Sequence, residues 1–197
     1  MDRAPDAPLP TGAELRVDPV TGTPVIVAPG RAARPHTTAR PADATPPGAC
    51  PFCTGNEHET PPEVLRTGTG APGAPGWRVR VVPNLYPVVG GIGARPGATG
   101  AHEVVILSPD HDAPLGALPD PGAIEVLTVL RDRVRFHLAA GRAHVQPLIN
   151  HGRAAGASIA HPHAQIIAVD LVPPLVLARG ERAGALGADP IDLDLAA

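Results

Sequence analysis

The sequence predicts an α+β domain: an antiparallel β-sheet packed by one long helix, with Pro/Gly-rich loops. Three observations lead there. Short β-prone apolar runs alternate with turn residues along most of the 197-residue chain, and only one segment, 120–140, carries a long helical repeat. The composition is 43% hydrophobic with a formal charge of −3, enough to bury a core, although 22 Gly and 27 Pro mark extensive irregular connections. Residues 1–12 read as a flexible N-terminus, 13–172 as the folded domain and 173–197 as a C-terminal tail.

Each element has a local reason. Runs 14–17 and 24–28 flank Asp18-Pro-Val-Thr-Gly-Thr23 and read as a hairpin. Segment 35–48 is Pro-rich and leads into Cys50-Pro-Phe-Cys53, and 66–76 is Gly/Pro punctuation that reads as a surface loop. Residues 77–82 alternate clearly and predict a strand stopped by Pro83-Asn-Leu-Tyr-Pro87; 103–107 predicts a second, buried strand. For the helix, Asp120 is the expected cap, Pro121 suits the first helical position and Gly141 follows the end. Ala123, Leu127, Leu130, Val134 and Leu138 form its expected apolar face. Runs 145–149 and 165–169 predict two more strands, and 175–186 a weak helix.

Composition excludes several chemistries. All 16 basic residues are Arg. Without lysine there is no Walker A phosphate loop, Schiff base or pyridoxal anchor. Four aromatic residues and a mildly acidic balance argue against nucleic acid as a partner. The N-terminus lacks an apolar signal region, and the apolar stretch 166–177 is too short and interrupted to span a bilayer, so the expectation is a cytoplasmic protein with no membrane partner.

The residues that could carry chemistry cluster late in the chain. In His161-Pro-His163-Ala-Gln165, period two places His161, His163 and Gln165 on one strand face. They read either as a site or as an exposed edge strand with solvated histidines. A neutral imidazole is a good nucleophile toward phosphorus, and the Gln165 amide can donate to a phosphoryl oxygen. The preceding 150–158 loop, with Gly152, Gly156 and Ser158, could bring backbone N–H groups close to a phosphate, with Arg153, Arg31 and Arg34 balancing charge; it could also be an ordinary loop. Cys50 and Cys53 read as half of a zinc site, as a redox dithiol or as two reduced core thiols. As partner ligands, His36, His58, His102, His111, His137, His144, His151 and His161 all stay open. Asn84 follows a strand and is either a site residue or a turn residue. His137 and His144 read as structural or solvated.

Six segments in order resemble galactose-1-phosphate uridylyltransferases: the opening around Asp18-Pro-Val-Thr-Gly and Arg31-Ala-Ala-Arg34-Pro, then Cys50-Pro-Phe-Cys53, Pro83-Asn-Leu-Tyr-Pro87, Leu107-Ser-Pro-Asp-His111, Asn150-His-Gly to Gly156-Ala-Ser158, and His161-Pro-His163-Ala-Gln165. The resemblance covers roughly residues 14–172. It implies a histidine-triad (HIT-like) fold with a structural zinc on Cys50, Cys53, His111 and His161. It implies His163 as the nucleophile, Gln165 as the stabiliser of the transferring phosphoryl group, and Asn84, Asn150, Gly156 and Ser158 as nucleotide contacts. Arg31 and Arg34 match a segment that reaches the neighbouring subunit's site, which implies a homodimer. The implied reaction is ping-pong: UDP-glucose uridylylates His163 and releases glucose 1-phosphate, and galactose 1-phosphate then accepts UMP, a step in galactose metabolism. Members of that family are about twice as long, so a separate chain supplying a second half is an implied partner. An ADP-glucose phosphorylase-like adenylyl transfer and a non-catalytic, zinc-stabilised nucleotide-binding module are the alternatives.

Overall fold

A computed structural model describes residues 12–33, 46–90 and 94–187, apart from the side chains of Ala33, Pro47 and Arg153. The expected antiparallel sheet packed by one long helix is present. Strands β1 (Glu14–Val17) and β2 (Pro24–Val27) form the hairpin read from the sequence, paired Glu14 with Val27 through Val17 with Pro24. The main sheet holds β3 (Leu65–Gly68), β4 (Trp77–Pro83), β5 (Gly100–Ile106), β6 (His144–Ile149) and β7 (His163–Val169) in the order β3-β4-β5-β7-β6, every pair antiparallel. Helices α1 (Asp120–Ala139) and α2 (Pro174–Leu186) complete it. Among the described residues no helix is long and apolar enough to cross a membrane.

Period-two alternation divides the sheet. Val79, Val81, Val105, Val145, Ala164, Ile166 and Ala168 face α1 and pack on Val126 and Val129. Val82, Val104 and Ile106 face the other way and are covered by Cys50, Phe52 and Cys53. The middle strands lie close: a Cβ on Gly100 would come 2.1 Å from the Ala168 carbonyl oxygen, so β5 and β7 require a residue with no side chain there.

Three expectations need correction. Residues 66–68 of the expected 66–76 loop belong instead to the outer strand β3; Thr67 Oγ1 accepts a hydrogen bond from the Val79 amide at 3.0 Å, and the β4 ladder compensates for weak strand propensity. Asp120 is the first residue of α1, not its cap, and its side chain makes no capping bond. The face of α1 is also rotated. The buried residues are Val126, Val129, Arg133 and His137, whereas Leu127 and Leu138 are exposed. The physical reason is Glu103 on β5, buried beneath the helix. Arg133 donates to both its carboxylate oxygens, the Nε bond being 2.9 Å, and His137 Nε2 lies 3.1 Å away.

The opposite face carries a second buried ionic group. Arg80, 1% exposed, pairs with Glu63 and donates to the Glu57 carbonyl at 3.2 Å. The Glu57 carboxylate accepts Trp77 Nε1–H at 2.8 Å and the Gly55 amide at 2.9 Å. Burial pushes both carboxyls up. The Trp77 and backbone bonds on Glu57, and the Arg80 bond on Glu63, outweigh it and leave both below the ordinary glutamate value. This network fastens the 50–63 segment to β4.

Arg80→Ala should therefore cost about 3–5 kcal/mol in urea denaturation, because it strands a buried carboxylate, whereas Arg78→Ala, which breaks the exposed pair with Glu125, should leave the midpoint nearly unchanged. Glutamates held below their unfolded values stabilise the protein above the unfolded value, and that stability is lost as pH falls through the folded values. The urea midpoint should fall on acidification below about pH 5, and less steeply in Glu63→Gln.

Candidate functional site

The C-x-x-C segment is a tight turn, with the Cys53 amide donating to the Cys50 carbonyl at 3.2 Å and Asn56 Nδ2 donating to the same carbonyl at 2.9 Å. It sits against the end of β5, where the chain runs through Ser108 to His111, and against His161 just ahead of β7. Cys50 Sγ and Cys53 Sγ lie 3.8 and 3.6 Å from His161 Nδ1, and Cys53 Sγ lies 3.2 Å from His111 Nδ1. The four donor atoms fall within 4.8 Å of one another and could hold a metal ion. His161 is fully buried, and its Nε2–H donates to the Ser108 carbonyl at 2.9 Å, so Nδ1 is the nitrogen offered to the cluster. Burial, ahead of the neighbouring histidine charges, pushes His161 below the ordinary imidazole value. Burial, then Cys50, pushes the Cys53 thiol up to about 11. A cation beside Cys53 would favour its thiolate.

His161 departs from the period-two reading and sits in the cluster that the resemblance implied. The strand starts at His163, so His161 belongs to the cluster, while His163 and Gln165 share the face that opens into a cavity. His163 Nδ1–H donates to the His161 carbonyl at 2.9 Å, and the Phe52 ring meets the His163 ring edge-on with centroids 5.3 Å apart. This tautomer leaves the lone pair on Nε2.

The cavity measures about 420 Å³, a volume suited to a small-molecule ligand. Arg31, Asn84, Ser158, His163 and Gln165 all line it. A connected pocket of about 190 Å³ shares Arg31, Ser158, His163 and Gln165 and adds Asn150 and Gly156. Gly156, at φ 83°, turns the loop back toward the sheet. Of the residues singled out from sequence, Arg34 lies outside the described residues, as does the side chain of Arg153. Arg31 donates to the Tyr86 carbonyl and lines the cavity. Sequence reasoning missed Phe52, whose position between the cysteines was the available signal, and kept His102 only as an open metal-ligand candidate, whereas it hydrogen-bonds Gln165 across the sheet. The redox reading of the two cysteines finds no support in a cluster that adds two imidazoles.

Comparison with known proteins agrees with this arrangement. Residues 94–173 match the family described as galactose-1-phosphate uridyl transferase, N-terminal domain. The chain is 36% identical over 183 residues to an ADP-glucose phosphorylase of Arabidopsis thaliana, covering 84% of this chain and 51% of that protein. It is 31% identical over 176 residues to a galactose-1-phosphate uridylyltransferase of Streptomyces lividans, covering 88% and 43%. The crystal structure of an ADP-glucose phosphorylase from Arabidopsis thaliana with bound ADP-glucose superposes with a TM-score of 0.60 at 32% identity, covering 89% of this chain and 56% of that one. The chain thus spans about half the length of the curated relatives it matches. Over residues 94–173 it is similar to the N-terminal domain of the galactose-1-phosphate uridyl transferase family, and both curated relatives match it over most of its own length.

Proposed function

We propose that this domain is a nucleotidyltransferase in which His163 takes a nucleoside monophosphate from a nucleotide sugar. The observation that carries the reading is the 2.9 Å bond from His163 Nδ1–H to the His161 carbonyl, which leaves the ring's lone pair on Nε2 in a residue that lines the cavity. In the first half-reaction Nε2 attacks the α-phosphorus, a P–N bond forms, the P–O bond to the sugar phosphate breaks, and sugar 1-phosphate leaves. The ring becomes positive, and its Nδ1–H bond to the carbonyl dipole strengthens as it does so. In the second half-reaction an acceptor phosphate oxygen attacks the same phosphorus and the P–N bond breaks. Gln165 donates to the phosphoryl oxygens as charge builds on them. Asn84, Asn150, Gly156, Ser158 and Arg31 are assigned to holding the nucleotide.

Two sulfurs and two imidazole nitrogens suit zinc. Tetrahedral coordination with ordinary Zn–S and Zn–N lengths has sulfur–nitrogen edges of about 3.6 Å, and three sulfur–nitrogen separations here, 3.2, 3.6 and 3.8 Å, lie around that value. Zinc held there would supply rigidity, leaving the transfer to the histidine. His161 serves both groups: its ring enters the cluster and its carbonyl orients His163.

The primary assignment is uridylyl transfer from UDP-glucose to galactose 1-phosphate. An adenylyl transfer from ADP-glucose is the second reading, favoured by the higher identity to the ADP-glucose phosphorylase, 36% against 31%.

Incubation with UDP-glucose or ADP-glucose labelled at the α-phosphate should leave base-stable, acid-labile label on His163, and the donor that labels the protein identifies the nucleotide. His163→Ala should abolish labelling with an unchanged circular dichroism spectrum. Failure of the wild-type chain to label with UDP-, ADP- and GDP-sugars rules out the transferase reading and leaves the non-catalytic module. Metal analysis should find about one zinc per chain, retained in His163→Ala and lost together with labelling in His161→Ala.

A further inference from the structure

His102 is 5% exposed and sits on β5, on the same sheet face as Gln165 of β7. The nucleotidyl transfer just described does not use it. Its two ring nitrogens have different neighbours. Nδ1 lies 3.1 Å from the Val88 amide, an N–H that can only donate, so Nδ1 accepts. A neutral imidazole then carries its proton on Nε2, and Nε2 lies 2.8 Å from Gln165 Oε1. The Asn84 amide nitrogen is 3.2 Å from Nε2 on another side. Asn84 Oδ1 already accepts the Tyr86 amide at 2.8 Å, so the group turned toward His102 is the NH₂. Two donors meet there, and the shorter contact to Gln165 is the hydrogen bond.

We infer that His102 is a positioning residue: the Val88 amide fixes its tautomer, and its Nε2–H holds the oxygen of Gln165, so that the Gln165 NH₂ faces the cavity beside His163. A side-chain amide has two ends of nearly equal shape and opposite polarity. Rotated by half a turn, Gln165 would present an oxygen to a phosphoryl oxygen and repel it. His102 selects the attractive end before substrate arrives, so the donor needs no reorganisation during transfer. The catalytic part of this inference rests on the nucleotidyltransferase reading; the tautomer and the amide orientation do not.

The test has two arms. In ¹⁵N-labelled protein, His102 should show the Nε2–H tautomer, and the Gln165 side-chain amide resonances should move in His102→Leu. An Nδ1–H tautomer, or unmoved Gln165 resonances, overturns the inference whether or not the protein labels. In the second arm, His102→Leu should slow labelling of His163 by roughly 10–100-fold while nucleotide affinity and metal content stay at wild-type values. His102→Gln, whose amide nitrogen can occupy the Nε2 position, should recover most of the rate. In a Gln165→Ala background, His102→Leu should cost nothing further. Wild-type labelling rates in His102→Leu, a loss in His102→Gln as large as in His102→Leu, or the full His102→Leu loss persisting in the Gln165→Ala background, overturns the inference. Absence of label in the wild-type chain overturns the transferase reading alone, and the resonance arm still decides the position of Gln165.

Discussion

His161 joins two parts of the molecule that chemistry must keep in register. Its Nε2–H is held by the Ser108 carbonyl, its Nδ1 enters the cysteine cluster, and its carbonyl receives the Nδ1–H of His163. The two residues are neighbours but one along the chain, so a displacement of the cluster is transmitted to the His163 ring through a few covalent bonds and one hydrogen bond. Phe52 adds a second tie, because it lies between the two cysteines and packs edge-on against His163. The cysteine turn thus braces the cavity wall from two directions, which explains why a domain so rich in loops can hold an imidazole in one tautomer and orientation.

The loops in turn need anchoring, and the sheet provides it with arginine. Among the described residues one buried guanidinium meets each face: Arg80 from the sheet, under the cysteine segment, and Arg133 from α1, over Glu103. Each meets a carboxylate, and Arg133 does so through two nitrogens. A planar, permanently charged fork suits this geometry in a way an ammonium does not. A chain with no lysine can therefore still build buried pairs, and the pairs set which side of α1 faces inward.

That last point marks where sequence reasoning stopped. Strand β4 was legible because Trp77, Val79 and Val81 alternate with arginines, and the hairpin β1–β2 because a Thr-Gly turn separates two apolar runs. The histidines and cysteines of the site were legible as motifs. The helix itself was legible, but its inward face was not: Arg133 and His137 count as polar until Glu103 is known to lie beneath them. Strand β3 was hidden because Leu65–Gly68 has little propensity of its own and forms on the β4 template. The place of His102 was not legible for a related reason. Its contact with Gln165 depends on the pairing of Val104 with Gln165 across β5 and β7, and register between strands sixty residues apart is not written in either strand alone.

The cysteine cluster has one more consequence. Cys50 is fully buried and Cys53 is 8% exposed, and the sequence contains no other thiol. The number of thiols that react with a soluble disulfide reagent therefore reports the state of this one locus, with no background from elsewhere in the chain. The absence of lysine gives the same silence toward amine-directed reagents on side chains. A single cysteine introduced on an exposed turn would then be a unique attachment point, and a fluorophore placed there could follow opening of the cavity while the native pair stays shielded.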